Sequence, residues 1–203
     1  YAAGADAAKT ADANGTVAIG DHALNALTSG PGNLAIGFEA LKLNTTAGYN
    51  LAIGDSAMSA STAMTNTVAI GYQAMGGQRD GDYNTVLGNK AMASPGNNRN
   101  PSHNVAIGYA AYKNCTLNGD GNNCVVGDEV AGSLTTGTNN TIIGTAANAH
   151  AAGGSNQTVI GKSAVGHGDN IVVLGNTSVT AWHPPDDNGV DLGSPSYRFA
   201  DIF

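Results

Sequence analysis

The chain has 203 residues, of which 29 are glycine, 5% are aromatic and 11% are charged. So few large side chains exclude a deep globular core and favour a thin core that is repeated along one axis. The net charge of −7, with only eight scattered Lys and Arg residues, excludes the basic patch that a nucleic-acid partner needs, and no apolar run is long enough to insert into a membrane.

A nine-residue unit recurs along most of the chain, as in "NLAIGFEAL" at Asn33–Leu41 and "NLAIGDSAM" at Asn50–Met58. Each unit is anchored by a glycine, and the anchors are Gly20, Gly37, Gly54, Gly71, Gly88, Gly108, Gly127, Gly144, Gly161 and Gly175. The intervals between them are 17 residues four times, then 20, 19, 17, 17 and 14. A fixed period in this range predicts an all-β solenoid of about ten stacked coils.

The three residues before each anchor predict a short strand that is apolar on both faces, as in Leu51, Ala52 and Ile53. Alternate residues of a strand share a face. We therefore predict that the isoleucine side fills the inside of each coil and that the alanine side presses against a flat neighbour. Equivalent strands are expected to stack as a parallel sheet at about 4.8 Å per coil.

The residues around each strand predict how the coil turns. The anchor glycine is expected to take a positive φ, so it should matter more for folding than a loop glycine such as Gly48. An asparagine four residues before most anchors is expected to support a left-handed turn and to bond its own backbone. An apolar pair after the glycine, such as Ala23 and Leu24, predicts a second weak strand or a turn that closes the coil.

Two other solenoids fit the sequence less well. The left-handed β-helix of hexapeptide acyltransferases has a coil of about 18 residues built from six-residue units, and no six-residue sub-period is present here. An ice-binding solenoid needs a flat ladder of paired threonines, and Thr85, Thr141 and Thr158 are too sparse to form one.

The run "NxAIGxxAL" with its Gly/Asn-rich spacer resembles the head repeats of trimeric autotransporter adhesins and, more closely, the 17-residue repeats of bacteriophage tail-fibre proteins. The resemblance covers residues 15–179 and implies a left-handed parallel β-roll in which three chains lie side by side. We expect a lead-in segment at 1–14, the repeat domain at 15–180 and a small C-terminal β cap at 181–203. The last 18 residues, from Asp186, are similar to the segment that precedes an endosialidase-type intramolecular chaperone.

The resemblance implies a non-enzymatic structural and host-receptor-binding segment of a phage tail fibre, located in the virion. Its expected partners are two further copies of the chain, the rest of the fibre, and a host cell-surface glycan or outer-membrane receptor. The alanine face is the expected trimer interface, so Ala52→Arg should block assembly. Two alternatives stay open: the head of a bacterial trimeric adhesin at the cell surface, and a glycan depolymerase of the tail-spike type.

No motif predicts a metal, a cofactor or a catalytic group. The five histidines lack zinc-site spacing, and "DDNGVD" at Asp186–Asp191 lacks the remaining ligands of a calcium loop. "GKS" at Gly161–Ser163 has the wrong distance from the preceding glycine for a phosphate-binding loop. Cys115 and Cys124 leave two readings open: reduced thiols with Cys124 facing the core, or a local disulfide.

The period lengthens at two loops, Ser94–Asn104 and Lys113–Asn123. Insertions on one face of a solenoid often form its binding face, although surface loops also lengthen neutrally. Planar side chains in or near these loops can stack on sugars, and the aromatic C-terminal segment is a second place for binding. The candidate ligand-binding residues are Arg99, His103, Tyr109, Tyr112, Trp182 and His183.

Overall fold

The computed structural model describes residues 14–94 and 100–181, and within these ranges the chain is an all-β solenoid with no helix. The expected lead-in segment and C-terminal cap lie almost entirely outside these ranges. The strands are β1 (Val17–Ile19), β2 (Leu34–Ile36), β3 (Leu51–Ile53), β4 (Val68–Ile70), β5 (Thr85–Leu87), β6 (Asn100–Ser102), β7 (Val105–Ile107), β8 (Asn118–Asp120), β9 (Cys124–Val126), β10 (Thr141–Ile143), β11 (Thr158–Ile160) and β12 (Val172–Leu174).

Ten of these strands form one parallel sheet in the order β1-β2-β3-β4-β5-β7-β9-β10-β11-β12, so each coil contributes one strand. The register is that of the sequence repeat: Ala35 lies opposite Ala52, and Ala52 lies opposite Ala69. The predicted solenoid, with its 17-residue period and its strand before every anchor glycine, is confirmed.

The prediction of which strand face lies inside the coil is wrong. The alanine column points inward, since Ala35, Ala52 and Ala69 are fully buried, whereas the isoleucines beside them are partly exposed. The reason is the volume of the coil. The larger member of the apolar pair after the anchor, such as Leu41 or Met58, is also fully buried and fills much of the coil, so a small residue is enough on the strand side. Val86 and Ile142 hold the same inward position in other coils.

In the seven coils anchored from Gly20 to Gly127, the apolar pair after the anchor forms a turn rather than a second strand. After Gly144 and Gly161 the chain instead forms an isolated parallel bridge between Asn148 and Val165. Leu41 and Met58 have φ angles of 51° and 52°, in the left-handed region. The turn bonds directly to the neighbouring coil, because the Leu41 N–H donates to Ala57 O at 3.0 Å. Left-handed backbone is unfavourable for residues other than glycine. Complete burial of the large side chain offsets that cost.

The recurrent asparagine forms a buried ladder between coils. Asn33 Oδ1 accepts hydrogen bonds from the N–H of Asn50 at 3.0 Å and from its Nδ2 at 3.1 Å, and Asn50 Nδ2 also donates to Met64 O at 2.6 Å. Thr67 takes the asparagine's place in the next coil, and the ladder continues to Gln157. These bonds satisfy amide groups that would otherwise be buried without partners.

The left-handed residue of this turn is the one directly before the asparagine. In the coil of Asn50 that residue is Tyr49, with a φ of 62°. The asparagine still bonds the backbone of its own turn, as when Asn33 Nδ2 donates to Gly30 O at 3.0 Å. Its main structural role is nevertheless to join one coil to the next.

The anchor glycines take positive φ angles, as predicted, and they also stand in close contact. Gly54 has a φ of 133°, and a Cβ atom there would lie 2.6 Å from the carbonyl carbon of Gly71. Gly48 is not the tolerant loop position that the sequence indicated, since a Cβ there would lie 2.6 Å from Pro31 O. Gly132 is the better comparison, because its Cβ would meet only Glu129 O at 3.6 Å.

Gly54→Ala should therefore lower the free energy of unfolding far more than Gly132→Ala. Strained backbone alone costs about 1–3 kcal/mol per residue, and the collision with Gly71 adds to it. Gly132→Ala is expected to be neutral or slightly stabilising. Thermal unfolding followed by circular dichroism compares the two variants, and equal melting temperatures would contradict the role given to the anchor.

Candidate functional site

The described parts of the two lengthened loops include residues 100–104 and 113–123, and they stack on each other. Their strands β6 and β8 form a separate two-stranded parallel sheet, with Pro101 opposite Gly119. The N–H of Gly121 extends this ladder by donating to Ser102 O at 2.9 Å. β6 and β8 therefore continue the coil-on-coil stacking of the main sheet.

Tyr112 is not a ligand-binding residue, and that prediction is wrong. Its side chain is fully buried at the position that Met58 and Met75 hold in earlier coils. Its hydroxyl accepts a hydrogen bond from Asn123 Nδ2 at 3.2 Å. Burial first, and then the charge and hydrogen bond of Cys115, raise the pKa of Tyr112 far above its ordinary value. The phenol is a core side chain that carries one buried polar contact.

The two cysteines lie on opposite sides of the coil wall. Cys115 is fully buried and Cys124 is partly exposed on the outer face of β9, and the two do not form a disulfide. The expectation that Cys124 faces the core is wrong for the same reason as at the isoleucine positions: alternate strand residues before the anchor point outward. Their thiols are therefore expected to react at very different rates.

The remaining candidates are not brought together by the fold. His103 precedes β7 and stacks on Tyr83, with ring centroids 5.0 Å apart and an interplanar angle of 21°. Tyr109 follows the same strand on its other side and is 52% exposed. Arg99, Trp182 and His183 lie outside the described residues.

His103 belongs to a column of residues that stand five positions before each anchor, which we call the N-side column. Its aromatic members are Tyr49, Tyr83 and His103, and all three have left-handed backbone. Their rings contact neighbours within the column. His103 stacks on Tyr83, and Tyr49 lies over Gly32, where a Cβ atom would be 2.9 Å from the Tyr49 ring.

Tyr109 belongs to a second column, made of the residues that directly follow each anchor, which we call the C-side column. Seven consecutive coils present an exposed side chain there: Asp21, Phe38, Asp55, Tyr72, Asn89, Tyr109 and Asp128. An aromatic ring therefore recurs on every second coil. Sequence reasoning missed Phe38 and Tyr72 because it considered only the inserted loops, although the alternation is visible once the repeats are aligned.

Backbone hydrogen bonds fix the spacing of the C-side column. The carbonyl of each column residue accepts from the N–H two positions after the next anchor, as in Ser56 N–H to Phe38 O at 2.8 Å and Lys90 N–H to Tyr72 O at 2.8 Å. Asn89 Oδ1 also accepts from the Tyr72 N–H at 3.0 Å. The column is therefore part of the stacked framework rather than of a loose loop.

Between the two columns lies the outer face of the ten-stranded sheet, which we call the apolar ladder. It consists of the first and third residues of each strand, and every strand contributes at least one Val, Ile or Leu and no charged residue. Exposure is 56% at Ile19, 40% at Ile160 and 64% at Val172, towards the two ends of the sheet, and the ladder residues of β2–β5, β7 and β9 are partly exposed. A continuous, partly exposed apolar strip of this kind marks an interaction surface.

Neither a metal cluster nor a membrane helix is found in the part of the chain that the structure describes. No group of three or more His, Cys, Asp or Glu residues there could hold an ion. No helix in residues 14–94 or 100–181 is long and apolar enough to cross a bilayer. A scan against protein-family models and a search of curated proteins both find no match. Function is therefore inferred from the geometry of the chain itself.

The Tyr112→Ala variant should unfold at a much lower urea concentration than the Tyr109→Ala variant. Removing a buried aromatic side chain costs about 3–5 kcal/mol, whereas truncating an exposed one changes stability by about 0.5 kcal/mol or less. Urea titration of the two variants measures the difference. Similar midpoints would contradict the assignment of Tyr112 to the core and of Tyr109 to the surface.

Proposed function

We propose that the chain is a non-enzymatic structural and receptor-binding segment of a bacteriophage tail fibre that assembles as a homotrimer within the virion. The observation that carries the proposal is the apolar ladder. It runs without a charge along ten stacked strands, a length of roughly 45 Å at the spacing of parallel strands.

The apolar ladder needs a partner of the same length and chemistry. A long apolar face left in water favours association, because covering it removes apolar area from solvent. The contacting face of the partner has to be uncharged and periodic at the spacing of the coils. The apolar ladder of another copy of this chain meets both conditions, and the resemblance to fibre and adhesin repeats implies that three copies are involved.

The proposed interface is not the one expected from the sequence. Ala52 is fully buried inside its own coil, so Ala52→Arg would damage the fold before it affected assembly. Ile53, the next residue, belongs to the apolar ladder and is partly exposed. Contacts between copies are therefore assigned to Ile53 and its equivalents.

The two ends of the sheet suit continuation into the rest of a fibre. Within the described residues, β1 and β12 are its edge strands, and Val17 and Val172 on them are 46% and 64% exposed. Edge strands pair readily with further strands. The side chains available for a host glycan or outer-membrane receptor are those of the C-side column, which borders the apolar ladder.

Ile53→Arg should convert the trimer into a folded monomer, whereas Ala52→Arg should prevent folding. The arginine at position 53 places a charge on each copy at the proposed interface, while its coil remains packed. Sedimentation measures the mass, and circular dichroism measures the fold. A wild-type protein that sediments as a stable folded monomer would contradict the proposed assembly.

Cys124 provides a second readout of the same interface, because it lies on the apolar ladder while Cys115 is buried in the coil. In the wild-type assembly both thiols should resist a thiol reagent. In the Ile53→Arg monomer Cys124 should react quickly and Cys115 only on unfolding. Fast reaction of Cys124 in the wild-type assembly would place the interface elsewhere.

The receptor-binding part of the proposal predicts that the fluorescently labelled wild-type protein adheres to the surface of some bacterial strains. Flow cytometry over a panel of strains measures adhesion, and Ile53→Arg should adhere less because it presents one binding surface instead of three. Adhesion to animal cells or matrix proteins alone would favour a bacterial adhesin head. Shortening of purified envelope polysaccharide during incubation would show an enzyme.

A further inference from the structure

We propose that Phe38, Tyr72 and Tyr109 form a binding site for a linear, uncharged glycan that lies along the solenoid axis, with one ring contacting every second sugar. This inference rests on the proposed receptor-binding function and names its ligand class. The observation behind this inference is the C-side column, because three exposed rings recur there at a fixed interval.

The interval matches the repeat of an extended sugar chain. Each ring lies two coils from the next, which is roughly 10 Å at the spacing of parallel strands. Two sugars of an extended linear chain cover a similar length, so the same face of every second sugar meets a ring. The backbone bonds from Ser56 N–H to Phe38 O and from Lys90 N–H to Tyr72 O hold this interval without a ligand. The site is therefore organised before binding, which lowers its entropic cost.

The side chains between the rings can form hydrogen bonds with the hydroxyl groups of a sugar. Asp55 and Asn89 alternate with the three rings and are exposed. A pyranose ring presents C–H groups on its faces and hydroxyls on its edges. The aromatic rings can contact the faces, while carboxylate and amide groups accept or donate hydrogen bonds to the hydroxyls. Lys90 Nζ lies over one face of the Tyr72 ring, 5.9 Å from its centroid, so a sugar would contact the opposite face.

The negative charge of the C-side column favours binding of an uncharged glycan over an acidic one. Asp21, Asp55 and Asp128 belong to the C-side column, and the whole chain carries a net charge of −7. A chain of uronic or sialic acids would meet these carboxylates along its entire length. Like charges in close contact are unfavourable, so a polyanion should bind more weakly than a neutral chain of equal length.

A glycan fits this column better than a protein does. The rings are separated by polar side chains, so they do not form the continuous apolar patch of a protein interface. They also follow the anchor glycine, beyond the end of the strand that carries the apolar ladder. The N-side column is a natural control, because Tyr49 packs on Gly32 and Tyr83 is stacked by His103.

The test measures affinity for linear neutral oligosaccharides with 1,3 or 1,4 linkages, from disaccharide to octasaccharide, by titration calorimetry on the wild-type protein. Affinity should rise with length until the chain reaches from Phe38 to Tyr109, roughly 20 Å, and then level off. Polysialic acid serves as the acidic comparison and should bind more weakly. Failure of the whole neutral panel to bind, or a preference for polysialic acid, would overturn the inference.

Single-residue variants test whether the oligosaccharides bind at the C-side column. Tyr72→Ala should weaken binding of the long chains about tenfold, which is the order of one aromatic contact. Tyr72→Phe should retain the affinity, because it keeps the ring. Tyr49→Ala and Tyr83→Ala should leave it unchanged. Equal losses in Tyr83→Ala and Tyr72→Ala, or no loss in Tyr72→Ala, would show that the C-side column is not the site.

The same variants separate this inference from the proposed function. If the wild-type protein adheres to bacteria and the triple variant of Phe38, Tyr72 and Tyr109 to alanine adheres equally, the glycan site is wrong and the receptor-binding function stands. If the wild-type protein adheres to no strain of the panel, the proposed function fails, and the calorimetry still decides whether the column binds sugar. Loss of adhesion in the triple variant, with its melting temperature unchanged, would support both.

Discussion

Direct contact between successive coils is the constraint on which the rest of this structure depends. The backbone at Gly71 occupies the space that a side chain on Gly54 would need, and the same contact recurs from anchor to anchor. Coils held this closely keep their register, so equivalent positions of the repeat lie in rows along the solenoid. The asparagine ladder, the apolar ladder and both aromatic columns are such rows.

Much of this architecture follows from the sequence because it is repeated. The position of every main strand and its partner can be read from the anchor glycines, since coils of equal length place equal residues side by side. The repeat does not show in the same way which face of the strand points into the coil. A segment such as Leu51 to Ile53 is apolar on both faces, so it carries no polar signal for the inside. The choice depends on the space that Met58 leaves in the coil, which is a tertiary quantity.

The candidate site was harder to predict, because it exists only once the coils are stacked. The inserted loops drew attention to Tyr109 and Tyr112, which are close in sequence but have unrelated environments. Tyr112 aligns with Met58, and this alignment identifies it as a core residue. Tyr109 aligns with Phe38 and Tyr72, far along the chain, and this alignment identifies it as one member of a row. Position within the repeat is therefore a better guide than proximity in sequence.

In the described part of the chain, strand pairing in the main sheet joins only adjacent coils. Apart from the bond from Gln78 Nε2 to Cys115 O, which spans two coils, a whole 17-residue unit can therefore be gained or lost with little effect beyond its immediate neighbours. Each such event would change the length of the rod by about 4.8 Å. The number of units sets the length of the solenoid, and duplication of a short stretch of the gene is enough to change that number. The length of the solenoid can thus evolve in small equal steps, independently of the side chains on its surface.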